Sequence, residues 1–524
     1  MPVPVGHSGN IPAESDPDPV FGVTTDVQHP KLTDSNVIRG RFVILEDSRL
    51  KLSTRQTMDR ILDVFRTRQS TAPVDYTPLA PENGELDDTD ADYDPPSMSS
   101  STVLLPPGGN KNLLGTRQRI SWFDYTVFLV LGVAMLWAWN CFLAAAAYFQ
   151  MRFRDNKTIL DNFQSSIMTV STGATLITTL ALSYLQKSAH YPRRIIIALI
   201  LNSVVFILFA LSTVSFTSIS AGVYLSFTLL MVLGTAVSAG FFQNGLFAYV
   251  GSFDPIYTQG VMSGQGVAGV LPSIAQMVAV LAIPSKAPES QEDKSASASP
   301  KSAFVYFLTA TAVSCLALSL FIVLLSRHKE RFHRSNHQTA GEPEANEPKA
   351  TLSLLVLIKK LPLPAYTIFF NFALTMVFPV FTQATLSVNP PSSSVLSRPE
   401  VFIPFSFLIW NTGDLIGRVI CGFPKIACTN PKILAIAATV RVVYVPLYWL
   451  GNIKGRGAKV QSDFFYELVQ FTFGLTNGYV GSNTMMLGPQ LVPEEESGAA
   501  GGFMGLCLVA GLAAGSAASF LLSV

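Results

Sequence analysis

The sequence predicts an all-α polytopic membrane protein of about eleven transmembrane helices, and three observations carry that reading. Hydrophobic residues make up 49% of the chain and charged residues 14%, against about 25% charged in ordinary soluble domains. From Trp122 onward, apolar stretches follow one another, each near the length of about 20 residues that a helix needs to cross the hydrocarbon. The longest polar break among them, Arg327 to Lys360, divides the stretches six and five, which suggests two helix bundles around a central path.

Residues 1–120 hold no apolar run of that length. They are rich in Pro, Ser and Asp, with an acidic patch from Glu82 to Asp94, and a segment so polar cannot pack a core. A disordered cytosolic tail is expected. Within it, Ser53 to Arg68 places Met58, Ile61, Leu62 and Phe65 at helical spacing, which suits either a short amphipathic helix for a membrane or a partner or, the favoured reading, a transient helix with no role. No basic stretch followed by an apolar core opens the chain, so no cleaved signal peptide is expected.

The expected spans are 123–149, 162–185, 193–215, 221–250, 258–284, 302–326, 364–388, 402–426, 431–451, 464–489 and 498–523. They give an N-terminal six-helix bundle (121–326), a cytosolic loop (327–363) and a C-terminal five-helix bundle (364–524). Gly234, Gly240, Gln243, Asn244 and Gly245 dilute the fourth span. An interruption there would be of the kind that lines transporter binding sites. Cys141, Cys315, Cys421, Cys428 and Cys507 show no metal-ligand spacing and read as reduced packing residues. No metal or other cofactor is implied, and a net charge of +1 makes no case for nucleic acid.

Orientation follows from the basic residues of short loops. With the N-terminus in the cytosol, the inner connections carry Lys187, Arg193, Arg194, Arg327, Lys329, Arg331, Arg334, Lys425 and Lys432. Lys454, Arg456 and Lys459 fall outside, so the bias is partial. The odd count puts the C-terminus on the luminal or extracellular side. Asn156-Lys157-Thr158, a glycosylation acceptor triplet, then lies in the first outer loop.

The eighth span is the informative one. Asn411, Asp414 and Arg418 sit in its middle, where even the mildest scales charge about 2.5–3.5 kcal/mol per ionised group. Asp414 and Arg418 are four apart, carboxylate first, so they stack on one helical face with Asn411 one turn before. The stripe is either an internal ion pair that pins helices or the lining of a solute path. The last span repeats small residues every four positions, Gly501 with Gly505 and Gly511 with Gly515, which lets helix backbones approach. The fifth span carries Gly260, Gly264, Gly266 and Gly269 and reads as packing; its Pro272 should free a backbone carbonyl and could kink the helix.

Five segments taken together resemble the equilibrative nucleoside transporter family: LWAWNCFLAAAAYFQ, QNGLFAYVGSFDPIYTQGVMSGQGVAG, NTGDLIGR, PLYWLGNIK and LTNGYVGSNTMMLGP. They occur in the family's order and cover the membrane region from about Trp122 to Val524. The resemblance implies a major-facilitator-like arrangement of six helices against five and alternating access. It implies movement of nucleosides, and in some members nucleobases, down their gradients, with the lipid bilayer as the other partner. By the same resemblance Trp139 and Asn140 form the first helix's Trp-Asn pair, with the aromatic beside the base. Gln243 hydrogen-bonds the base, Asp414 and Arg418 meet the ribose hydroxyls, and Asn411 lies one turn away. Phe378 lines the path, and Asn477 of the Asn-Gly-Tyr motif is structural. Ala138 stands where the family usually has Pro, a departure that bears on the local helix break and the placement of Trp139. The long tail is most similar to fungal vacuolar and lysosomal members, so that type of membrane is expected ahead of the plasma membrane.

The chemistry is sensible on its own terms. A vicinal diol wants a fixed acceptor and a forked donor, which a carboxylate and a guanidinium supply. Spacing alone does not separate a nucleoside from a sugar. A proton-coupled carrier is the alternative within the class, since Asp414 is an intramembrane carboxylate; pairing with Arg418 favours its ionised form and argues against that. A non-transporting receptor or an enzyme is the alternative outside it. No nucleophile elbow, paired metal ligands or phosphate-cradling Gly-Lys motif supports an enzyme.

Overall fold

The computed structural model describes residues 120–185, 190–216, 219–282, 300–338 and 353–519. The tail, with its acidic patch and the 53–68 segment, lies outside them. Among the described residues every regular element is helical apart from one isolated bridge, Thr385 to Ile453. The helices are α1 (Trp122–Ala144), α2 (Ala146–Phe153), α3 (Lys157–Tyr184), α4 (Tyr191–Ser215), α5 (Ala221–Val250), α6 (Pro255–Ala282) and α7 (Pro300–Gln338). There follow α8 (Leu354–Lys360), α9 (Pro362–Thr375), α10 (Val377–Ala384), α11 (Pro399–Ile420), α12 (Pro431–Val440), α13 (Tyr444–Tyr448), α14 (Asp463–Leu487) and α15 (Glu494–Ser519).

Eight of these rods are long and apolar enough to cross a membrane, taking α1 with α2, α9 with α10, and α12 with α13. Three more, α6, α11 and α14, have 28, 22 and 25 residues but are diluted by polar side chains. Those three carry the site described below.

Proline explains two of the three places where these rods break; the third, at Ala145, has none nearby. A proline ring removes the N–H that would bond residue i−4 and collides with that carbonyl. Pro379 acts on Thr375, and the seventh span breaks at Met376, between α9 and α10. Pro446 acts on Val442, and the ninth span tightens to a 3-10 turn at Arg441–Val443 between α12 and α13. Pro272 lies within α6 without ending it.

The fourth span departs from expectation: α5 is one uninterrupted helix of 30 residues. Gly234, Gly240 and Gly245 serve close approach rather than unwinding. A Cβ on Gly240 would lie 2.8 Å from Thr178, and one on Gly245 2.9 Å from Arg194. The first helix also runs unbroken through Trp139 and Asn140, with an irregularity only at Ala145. The expected loop at 327–363 is partly helical, because α7 continues to Gln338 and α8 occupies Leu354–Lys360. No glycine or proline stops α7 before Gly341.

α1 packs on α6, α3 and α4 on α5, and α4 on α7; α11 packs on α14, and α9 on α15, α14 and α12. Between these sets the main contacts are α6 with α11, α5 and α3 with α15, and α6 with α14. At the end where α1 starts, a cavity of about 770 Å³ is lined by Asp124, the α5–α6 turn, His328 and the α14–α15 turn. At the opposite end Arg152 donates to the carbonyl of Phe216, and Asp463 binds Ser387, Val388 and Asn389.

Candidate functional site

α11 is held against α14 by glycines on both helices, and this places its polar stripe away from lipid. A Cβ on Gly417 would lie 2.1 Å from the Leu475 carbonyl oxygen, and one on Gly478 2.0 Å from that of Asp414. The two backbones therefore touch. On the stripe, Arg418 Nε donates to Asp414 Oδ2 at 2.7 Å, with both residues buried. Asp414 Oδ1 accepts from Asn477 Nδ2 of α14 at 2.8 Å. Asp414 and Arg418 are thus paired on one face as their spacing predicts, and Asn477 joins them.

The pair also reaches α6. Arg418 Nη1 donates to the Met262 carbonyl and to Gln265 Oε1, each at 3.1 Å. Gln259 Nε2 returns a bond to the Arg418 carbonyl at 3.1 Å, while Gln259 Oε1 accepts from the Tyr125 hydroxyl at 2.9 Å. Asn411 Nδ2 donates to Ser273 Oγ at 3.0 Å. The guanidinium therefore bridges α11 to α6 by donating twice, and the Arg418 main-chain carbonyl accepts from α6 in return.

The remaining predicted residues sit elsewhere. Asn140 Nδ2 donates to the Ala268 carbonyl at 2.7 Å. That is the carbonyl Pro272 leaves without its helical partner, so Asn140 ties α1 to α6 at the proline. Trp139 stacks on Phe142 at 5.9 Å, beside a slot of about 60 Å³ also lined by Met135, Phe242 and Ser238. Gln243 is buried on α5, and its Nε2 lies 3.4 Å from the Gly505 carbonyl. Phe378 lies in the first turn of α10 and stacks on Trp410 with centroids 4.0 Å apart. Trp139 and Phe378 belong to separate hydrophobic clusters. Gly501 meets the Phe247 carbonyl of α5, whereas Gly511 and Gly515 meet Phe369 and Ala373 of α9. One small-residue stripe of α15 thus faces the first set of helices and the other its own. Asn156 is exposed and caps α3, its Oδ1 accepting from the Ile159 N–H at 3.1 Å.

Three site residues escaped sequence reasoning. Gln259 and Gln265 lie in the glycine-rich start of α6, read only as packing. Arg441 is a buried cation in the ninth span; the cost argument applied to Asp414 applies to it equally.

A model of the family described as "Nucleoside transporter" matches residues 228–524, more than half of the chain. The chain belongs to that family. Similar relatives include the nucleoside transporter FUN26 of Saccharomyces cerevisiae, 29% identical over 458 residues, covering 78% of this chain and 85% of the relative. Equilibrative nucleoside transporter 1 of Homo sapiens is 25% identical over 454 residues, covering 76% and 96%. Equilibrative nucleoside transporter 3 of Rattus norvegicus is 25% identical over 433 residues, covering 76% and 88%. Among solved structures, the E. coli fucose:proton symporter FucP superposes with a TM-score of 0.51 at 13% identity, over 76% of this chain and 92% of that one. A second FucP structure, described as a major facilitator superfamily transporter in the outward conformation, also gives 0.51. This family member therefore has the major facilitator fold, all-helical and multi-pass in the membrane.

Proposed function

We propose that the protein carries nucleosides across a membrane down their gradient, by alternating access between a six-span and a five-span bundle. The observation that carries this reading is the Arg418–Asp414 pair, buried where α11 meets α6 in a member of the nucleoside transporter family. A carboxylate has about four acceptor positions, and Asn477 and Arg418 use two of Asp414's. The others suit the two hydroxyls of a ribose. Arg418 meanwhile holds contacts on α6 that a rocking of one bundle would exchange, so one side chain serves as anchor and gate. Trp139 and Phe378 offer apolar walls for the base, and Gln243 an amide. α6, α11 and α14 complete eleven spans.

The test is uptake of labelled adenosine and uridine by liposomes containing the purified protein, with and without an imposed pH gradient. Saturable uptake that stops at equal concentrations inside and outside, whatever the gradient, is expected. Accumulation driven only by protons would make Asp414 a coupling site, and binding without equilibration would make the protein a receptor.

In the proposed orientation the α1-start end and its cavity face the cytosol, and Asn156 faces the lumen or exterior of a vacuolar or lysosomal-type membrane. The cap on α3 uses Asn156 Oδ1 and leaves Nδ2 for a glycan. A glycosidase is expected to sharpen and speed the protein's gel mobility, and Asn156→Gln to abolish that shift. A shift that persists in the variant would place the glycan elsewhere.

A further inference from the structure

We propose that Arg441 is a positioning residue for the Asp414 carboxylate, acting through the amides of Asn371 and Asn477. The proposal rests on the reading of Asp414 and Arg418 as the ribose anchor. Arg441 opens the 3-10 turn between α12 and α13, is 2% exposed and lies over the Phe473 ring at 4.7 Å. A guanidinium has five N–H groups and accepts nothing, and here each has a partner. Nε donates to Thr476 Oγ1 at 3.2 Å. Nη1 donates to the Asn371 carbonyl at 3.2 Å and to Asn371 Oδ1. Nη2 donates to Asn477 Oδ1 at 3.2 Å and to the Phe473 carbonyl at 3.5 Å.

The direction of these bonds is the point. Because Arg441 only donates, Asn371 must present its oxygen to it and turn its NH₂ away. That NH₂ donates to Asn477 Oδ1 at 3.0 Å, and the Thr375 hydroxyl, 2.6 Å from the same oxygen and 2.8 Å from the Asn371 carbonyl, has one hydrogen to share between them. With two donor-only groups on its oxygen, Arg441 Nη2 and Asn371 Nδ2, Asn477 must turn its own NH₂ the other way, and it meets Asp414 Oδ1 at 2.8 Å. A flipped amide would set N–H against N–H inside a dry site. A donor-only group at one end and an acceptor-only group at the other therefore fix both amides. Asp414 is gripped from two sides, by Asn477 and Arg418, which fixes the orientation of its carboxylate.

Two substitutions separate this from a packing role. Arg441→Lys keeps a donor-only cation, whereas Arg441→Gln can donate or accept and leaves both amides able to turn over. The glutamine variant strands no lone charge, since Asp414 keeps Arg418. The readout is the ratio of uptake efficiency for uridine over 2′,3′-dideoxyuridine in liposomes loaded with equal amounts of protein. The parent protein is expected to favour uridine about tenfold or more. Arg441→Lys should keep most of that preference. Arg441→Gln should lose it through a raised KM for uridine, with dideoxyuridine transport nearly unchanged. Asn371→Asp stays paired with Arg441 but turns an acceptor toward Asn477, so it should give the same loss if the glutamine variant fails to reach the membrane. An unchanged ratio in both the glutamine and aspartate variants, an equal fall for both substrates, or a lysine variant that behaves like glutamine overturns the proposal. A parent protein that takes up neither substrate, or does not distinguish them, overturns the ribose-anchor reading instead.

Discussion

Arg418→Ala is expected to abolish nucleoside uptake, whereas Gln243→Ala is expected to reduce it by about tenfold or less. Removing one partner of a buried ion pair costs about 3–5 kcal/mol, because the other charge is left without compensation. Arg418 also carries the Met262 and Gln265 contacts to α6, so its loss removes two of the polar links between the helix sets together with the anchor itself. Gln243 offers one neutral amide to a helix carbonyl at 3.4 Å, an interaction worth about 0.5–1.5 kcal/mol. Arg418→Lys should recover little, since one ammonium cannot reach both Asp414 and the α6 acceptors as a planar fork does. The comparison is made on uptake per molecule of protein in the membrane, quantified in parallel. Equal defects for the two alanine variants at equal amounts would show that the pair does no more than an ordinary buried amide.

How much of this was legible beforehand depends on the kind of signal. Span length and the Asp414, Arg418 spacing are local properties, and both are readable from one stretch of chain. The i, i+4 rule placed the two side chains on one face, and they meet there at 2.7 Å. What joins the pair to the rest of the protein is not local. Gln265 and Arg418 are 153 positions apart, and Asn477 and Asp414 are 63 apart; no periodicity brings such residues together. The glycines of the fourth span were misread for the same reason. In α5, Gly234, Gly240 and Gly245 looked like an interruption, yet each faces a neighbouring helix closely and the backbone stays intact. Proline was more transparent, because its effect falls on the carbonyl four residues back. Pro272 pointed to the Ala268 carbonyl, although only the fold shows that Asn140 takes it up.

The α11–α14 contact carries the largest expected effect on stability. Gly413 and Gly417 on α11, and Gly474 and Gly478 on α14, are each four apart, so the two helices present matching grooves. A Cβ on Gly478 would sit 2.0 Å from the Asp414 carbonyl oxygen and 2.9 Å from the Arg418 N–H nitrogen. Neither neighbour can rotate away, because both are main-chain atoms within a helix. Even Gly478→Ala must therefore drive the helices apart along the stretch that holds the anchor. Overpacking of a core costs about 1–3 kcal/mol when side chains can yield, and backbone against backbone should reach or exceed the upper figure. Gly173 in α3 is the control, since a Cβ there meets nothing within 4 Å. Gly173→Ala should instead gain up to about 1 kcal/mol of helix propensity. Thermal unfolding of the detergent-purified variants separates them: Gly478→Ala is expected to melt well below the parent and Gly173→Ala at or slightly above it. Whatever Gly478→Ala protein survives should also favour uridine less over its dideoxy analogue, because moving α14 withdraws Asn477 from Asp414. A Gly478→Ala protein that melts with the parent and keeps its selectivity would mean that the helices do not meet through these glycines.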